Sequence, residues 1–131
     1  MGMPAAKQGD QILALDIHII LIPTPAGPVP TPIPHPFMGI IDSNCSTDVK
    51  IMNMPAAVMG SMASNTPPHI PQGGPFQVPP TNKGKVLLGS TTVMINGKPA
   101  ARFGDTAETC NDPAPLPAGT VIALGTVLIG G

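Results

Sequence analysis

The chain has 131 residues, the size of one domain. Charged residues are 10% and the net charge is −1, which excludes the basic footprint of a nucleic-acid binder and the charged composition of a disordered chain. Three Phe with no Trp or Tyr leave no stacking platform for single strands, so the core must come from Val, Ile, Leu, Met and Ala.

Lys7, Asp10 and Asp16 interrupt the first twenty residues, which therefore lack the pattern of a secretory signal. No run of eighteen apolar residues occurs, so no spanning helix is expected. Residues 11–22 (QILALDIHIILI) predict one or two short strands. Residues 23–36 hold seven prolines, which exclude a helix and predict an extended, polyproline-like excursion or long loop. Ile33, His35 and Phe37 would dock that excursion on the body. Residues 38–43 predict another strand, and residues 49–52 a short one.

Residues 64–82 read as loop. Residues 85–97 carry a hairpin signal, with β-favouring runs flanking Gly89-Ser90 and a tight turn at Asn96-Gly97. Residues 121–131 echo this segment: Leu124-Gly125-Thr126 parallels Leu88-Gly89-Ser90, and Val127-Leu128-Ile129-Gly130 parallels Val93-Met94-Ile95-Asn96. No segment sustains a helical period, so the expected class is all-β, with many short strands and long proline-rich loops.

The motif Pro-Ala-Ala-x-x-Gly recurs at Pro4–Gly9, Pro55–Gly60 and Pro99–Gly104. Val49-x-Ile51 and Val93-x-Ile95 precede the second and third copies at the same spacing. Each unit is too small to bury its own apolar face, so the units must share a core. Paired alanines suit a crowded centre, and the following glycine permits a turn that a Cβ would hinder. His18 and His69 both lie fourteen positions after the first residue of their copies, and Cys110 lies eleven after Pro99. One potential metal donor per copy predicts a pseudo-threefold body whose donors converge near the axis. The other thiol, Cys45, leaves a Cys45–Cys110 disulfide as an alternative use of Cys110.

Gly89–Ile95 followed by Asn96-Gly97-Lys98-Pro99-Ala100-Ala101-Arg102-Phe103-Gly104-Asp105 resembles the PAAR-repeat family, with Pro99–Arg102 as the literal signature. Met3–Asp10 resembles a first copy with Lys7 in place of Arg. Pro55–Ser61 resembles a second, with Val58 in that place and Ser61 in place of Asp. The resemblance implies a small cone-shaped tip on the trimeric VgrG-like spike of a contractile injection system, either type VI secretion or a phage-tail-like particle. It implies one structural zinc near the apex, one tip per spike trimer, a protein monomeric on its own, and transient contact with a target membrane. Effector proteins are possible partners. The expected span is a single domain over 1–131 without an effector extension, made in the bacterial cytoplasm without a signal peptide and ejected with the spike.

Zinc takes four donors from imidazole and thiolate. With the resemblance, His18, His35, His69 and Cys110 form the expected closed, structural set. His35 is the member without repeat support; it enters because Pro34 and Pro36 hold it rigidly and a fourth donor is required. Cys45 competes for that place, and Asp105 or water less so. The spike-facing surface is expected to be flat, apolar and uncharged, with the segments Val86–Val93 and Val121–Ile129 as candidates.

Two other functions compete. A zinc hydrolase would need a carboxylate base near the metal, and only Asp16, Asp105 and Glu108 lie near the proposed donors; no HExxH, GxSxG or phosphate loop is present. A proline-rich docking ligand would use Pro25–Pro36. The expected protein is not an enzyme.

Overall fold

The computed structural model describes residues 2–130, and all its regular structure is β. The first motif copy runs from β1 (Met3–Pro4) into two long strands, β2 (Gln11–Ile22) and β3 (Val29–Ser43). The second opens with the miniature hairpin β4 (Lys50–Ile51) and β5 (Met54–Pro55), followed by β6 (Met62–Asn65) and β7 (Lys83–Val86). The third repeats this plan with β8 (Met94–Ile95), β9 (Lys98–Pro99), β10 (Thr106–Thr109) and β11 (Leu116–Ile122), and the chain ends in β12 (Leu128–Ile129). The hairpins β2–β3, β6–β7 and β10–β11 close an antiparallel six-stranded barrel in the order β10-β11-β2-β3-β6-β7.

The repeats are joined by rings of hydrogen bonds about a pseudo-threefold axis. Ala6 N donates to Ala101 O, Ala101 N to Ala57 O, and Ala57 N to Ala6 O, at 2.9–3.0 Å. A second ring links Gln8 N to Pro55 O, Met59 N to Pro99 O and Phe103 N to Pro4 O. Ala6, Ala57 and Ala101 are fully buried; only a methyl-sized side chain lets three backbones meet there. The residue after each motif glycine closes its own turn. Asp10 accepts from Lys7 N, Ser61 from Val58 N and Asp105 from Arg102 N. The Asp-to-Ser exchange of the second copy thus keeps the turn and drops the ion pairs that Lys7 and Arg102 form with Asp10 and Asp105.

The first repeat is completed by the other end of the chain. β12 pairs with β1 as β4 pairs with β5 and β8 with β9. Val127 O accepts from Ala5 N just as Val49 O does from Ala56 N and Val93 O from Ala100 N. Val127-x-Ile129 is therefore the counterpart of Val49-x-Ile51 and Val93-x-Ile95. The buried Ile51, Ile95 and Ile129 pack in one cluster with Ala5, Ala56, Val58 and Ala100.

Above the alanine ring, Ile12, Ala63 and Ala107 alternate inward with Ile41, Val86 and Val121 from the return strands. Val86 and Val121 thus belong to the core, which corrects their assignment to the spike-facing surface. Two residues before each of Ile41, Val86 and Val121 stands a glycine: Gly39, Gly84 and Gly119. Phe37 fills the space left by Gly39 and Gly84, whereas Gly119 lies against Ala107 O, Ile12 and Thr109. A Cβ on Gly39 would stand 2.6 Å from Phe37 Cε1.

Two segments depart from the sequence expectation. The proline-rich stretch from Val29 onward is a strand, paired residue by residue with β2 from Ile22↔Val29 to Gln11↔Ile40. Its prolines 30, 32, 34 and 36 alternate, so they occupy one set of backbone positions. Opposite them, Leu21, Ile19 and Ile17 turn their N–H groups away from β3, toward Pro75 O, Asp112 Oδ2 and Asn111 Oδ1. The missing proline donors would likewise have faced away from β2, toward the edge where β6 has ended, and an edge strand tolerates that loss. The second departure is at Gly89-Ser90, which is no hairpin turn. Ser90 N donates to Ala100 O, and a Cβ on Gly89 would stand 2.7 Å from that oxygen. This glycine serves a close backbone approach. The Asn96-Gly97 turn forms as expected, both residues having positive φ between β8 and β9.

Candidate metal centre

Strand β2 carries its even-numbered residues inward, so Ile12, Asp16, His18 and Ile20 line the axis in succession. Strand β3 does the same with its odd-numbered residues, including His35 and Phe37. These two long strands lift a polar chamber above the Phe37 layer, on the axis and about 20 Å from the alanine ring at the rise of a strand. The loop after β6 brings in His69, and the end of β10 brings in Cys110.

The chamber gathers the three imidazoles and the thiol. His18 and His69 have ring centroids 4.9 Å apart, and the His35 ring is 5.6 Å from each. His18 Nε2 lies 3.6 Å from Cys110 Sγ. Phe37 closes the chamber on the barrel side, 6.0 Å from His69. Phe76 closes the other side, 5.8 Å from His18 and 5.6 Å from His35, held over the barrel by its bridge to Ile20. Two of the three phenylalanines therefore seal this site.

Donor atoms of Asp16, His18, His69 and Cys110 all lie within 4.8 Å of one another, so these groups could hold a metal ion. His35 stands beside this set. Its Nδ1 donates to Ile33 O at 2.8 Å, which leaves Nε2 as the atom with the free lone pair, and that atom is buried without a hydrogen-bond partner. His18 Nδ1 also lacks a hydrogen-bond partner and sits 3.5 Å from the Asp112 carboxylate. A buried imidazole nitrogen without a partner is costly unless something else takes its lone pair. A soft divalent cation fits that requirement, and imidazole with thiolate is the donor chemistry of zinc.

Burial sets the protonation of the chamber. Desolvation pushes the Cys110 thiol up to about 11, with the Asp16 carboxylate adding to the effect. Desolvation lowers the His18 imidazole below its ordinary 6.5, the Asp112 carboxylate opposing it. Both groups are thus neutral in the metal-free protein near pH 7.

Sequence reasoning named Asp16 only as a carboxylate near the donors. The structure buries it fully and engages both of its oxygens, with His69, Cys110, Thr109 and Asn111. The signal was its position two residues before His18, on the same strand face. The rival donors lie elsewhere. Cys45 is a free thiol beside Ser43 at the edge of the core, and no disulfide joins it to Cys110. Asp105 is committed to the motif turn and Arg102, and Glu108 pairs with Lys85 at the surface.

Three pseudo-equivalent β units around one axis, ending in a sealed imidazole–thiol chamber, define a small all-β repeat protein with a candidate metal centre. Residues 77–131 match the family model described as the PAAR motif, so this part of the chain is similar to that family. No curated protein matches the chain.

Proposed function

We propose that this protein is a zinc-stabilised tip that caps the trimeric, VgrG-like spike of a contractile injection system and sharpens it for membrane puncture and effector delivery. The observation that carries this reading is the pseudo-threefold ring of Ala6, Ala57 and Ala101. It presents two hairpins, β4–β5 and β8–β9, and the equivalent pair β1–β12 at one end of the molecule, a shape that suits a threefold partner bound one tip per trimer. These units and the segment leading into β12 expose large apolar side chains: Met52, Met94, Leu124 and Leu128 are each half exposed or more. An apolar end of this kind favours burial against a partner. Leu124 and Leu128 fall in the segment named from sequence. Lys50 and Lys98 are also exposed in these hairpins, so the end is apolar but not free of charge.

In this reading His18, His35, His69 and Cys110 hold one structural zinc. When bound, the ion cross-links β2, β3, the loop after β6 and the end of β10. That would join all three repeats and add folding free energy to a body poor in large side chains. A closed four-donor set leaves no open position for water, which favours a structural role over hydrolysis. The proline stretch is occupied in β3, which disfavours its use as a free docking ligand.

The test is co-purification with a trimeric spike protein encoded beside it. The reading expects one tip per trimer, loss of binding in the Met94→Asp and Leu128→Asp variants, and retained binding in Ile70→Asp near the metal end. Wild-type protein that binds no such trimer would sink it.

A further inference from the structure

Asp16 has a connectivity that a simple four-donor metal site does not require. Its Oδ1 accepts from the Thr109 hydroxyl and from Asn111 Nδ2, the latter at 3.4 Å. Its Oδ2 accepts from His69 Nε2 at 2.8 Å and from Cys110 Sγ at 3.4 Å. One oxygen is therefore anchored to the third repeat, and the other holds two of the proposed donors, one each from the second and third repeats. Asn111 is itself fixed, donating to Thr109 O and accepting from Ile17 N. The carboxylate is thus braced from the wall and aimed at the chamber.

We propose that Asp16 is the positioning residue of this centre. It gathers His69 and Cys110 in the metal-free protein, at the place where a metal takes them over, and remains beside the ion as a hydrogen-bonding support without being one of its four donors. This inference rests on the metal reading above. Two observations favour support over ligation. His35 Nε2 is buried, unpartnered and oriented by its Nδ1–H bond, so a fourth donor beside His18, His69 and Cys110 is already in the chamber. The anchors on Oδ1 also tie the carboxylate to the barrel wall, and outer-shell groups of that kind fix ring orientation and tautomer. In the metal-free protein the Asp16 contact selects the Nε2–H form of His69, while Ile33 O selects the Nδ1–H form of His35.

The experiment compares wild type with Asp16→Asn, Thr109→Val and His35→Ala in the full chain. Zinc affinity is measured by competition with a chromophoric chelator, and the donor set is read from the visible absorption of the cobalt(II) form. Nitrogen-detected NMR reports the histidine tautomers without metal. Asp16→Asn is expected to weaken zinc by about 10–100-fold, to leave the cobalt band unchanged, and to release His69 from the Nε2–H form. Thr109→Val keeps the carboxylate and loses one anchor, so a smaller weakening with the same band is expected. It also keeps the test open should Asp16→Asn fail to fold. His35→Ala is expected to change the cobalt band. An altered band in Asp16→Asn, with His35→Ala unchanged, makes Asp16 a donor and overturns the proposal; so does wild-type affinity in both Asp16→Asn and Thr109→Val. A wild-type chain that binds neither zinc nor cobalt instead refutes the metal reading itself.

Discussion

The ring of Phe37 lies against the backbone of Gly84: a Cβ built on that glycine would stand 3.1 Å from Phe37 Cζ. Gly39 is tighter, with Phe37 Cε1 at 2.6 Å and the Ala63 methyl at 2.9 Å. The barrel therefore holds one aromatic ring where two glycines leave room, and that ring is the floor of the imidazole–thiol chamber. Gly39→Ala should destabilise the fold by about 1–3 kcal/mol through overpacking, and Gly84→Ala by less. Phe37→Ala should cost about 3–5 kcal/mol and loosen His69 as well. Denaturant unfolding of the metal-free protein checks the order Phe37→Ala, Gly39→Ala, Gly84→Ala.

The closure of the first repeat by the C-terminal strand can be measured by symmetry. Ile51, Ile95 and Ile129 occupy equivalent buried positions, with 6–8% exposure. Each change to Ala should therefore cost a similar amount, on the order of 2–5 kcal/mol. A neutral Ile129→Ala beside costly Ile51→Ala and Ile95→Ala would show that β12 contributes little to the shared core.

Ser61 offers a test of why the second motif departs from the other two. Its hydroxyl accepts from Val58 N and donates to Asn44 O. Ser61→Ala should cost about 1–3 kcal/mol by leaving those buried groups unpaired. Ser61→Asp restores the residue of the other copies but should be worse. It places a charge beside Asn44 O in a fully buried site, where Val58 supplies no cation. Thermal midpoints of the two variants decide the order.

The pH dependence of the metal-free protein follows from two neutral groups. His18 is held below 6.5, so the fold favours the uncharged ring; that stability is present above pH 6.5 and is lost as pH falls through the lowered value. Cys110 is raised from 9.0 to about 11, so its contribution is complete below pH 9 and is lost as pH rises toward 11. The metal-free chain should be most stable between these limits, in melting curves taken from pH 4 to 11. His18→Gln should remove the acid limb and Cys110→Ser the alkaline one. Zinc should raise the melting temperature in proportion to the logarithm of its concentration and lose this effect in acid, where protons compete with the ion for its donors.

Much of this architecture is local and therefore legible in the chain. The period-two pattern of residues 11–22 places Ile12, Asp16 and His18 on one face. The spacing of the Pro-Ala-Ala copies declares three like units, and the types of His18, His69 and Cys110 declare the donor chemistry. The prolines of residues 30–36 misled because a residue-by-residue penalty hides their alternation. Only pairing with β2 shows that each missing donor falls on the strand's open edge. Asp16 went unweighted because its partners Cys110, Thr109 and Asn111 lie 93–95 positions away.

By itself, then, the sequence determined the β class, the threefold repetition and the residue types that can bind metal, since these depend on spacing and chemistry along the chain. Tertiary structure alone decided that Leu128–Ile129 completes the repeat begun at Met3, that Phe37 fills the gap left by Gly39 and Gly84, and that Asp16 braces the donors. Each of these is a contact between strands brought together only when the barrel closes, and the hydrogen bonds and packing that define them have no counterpart in an open chain.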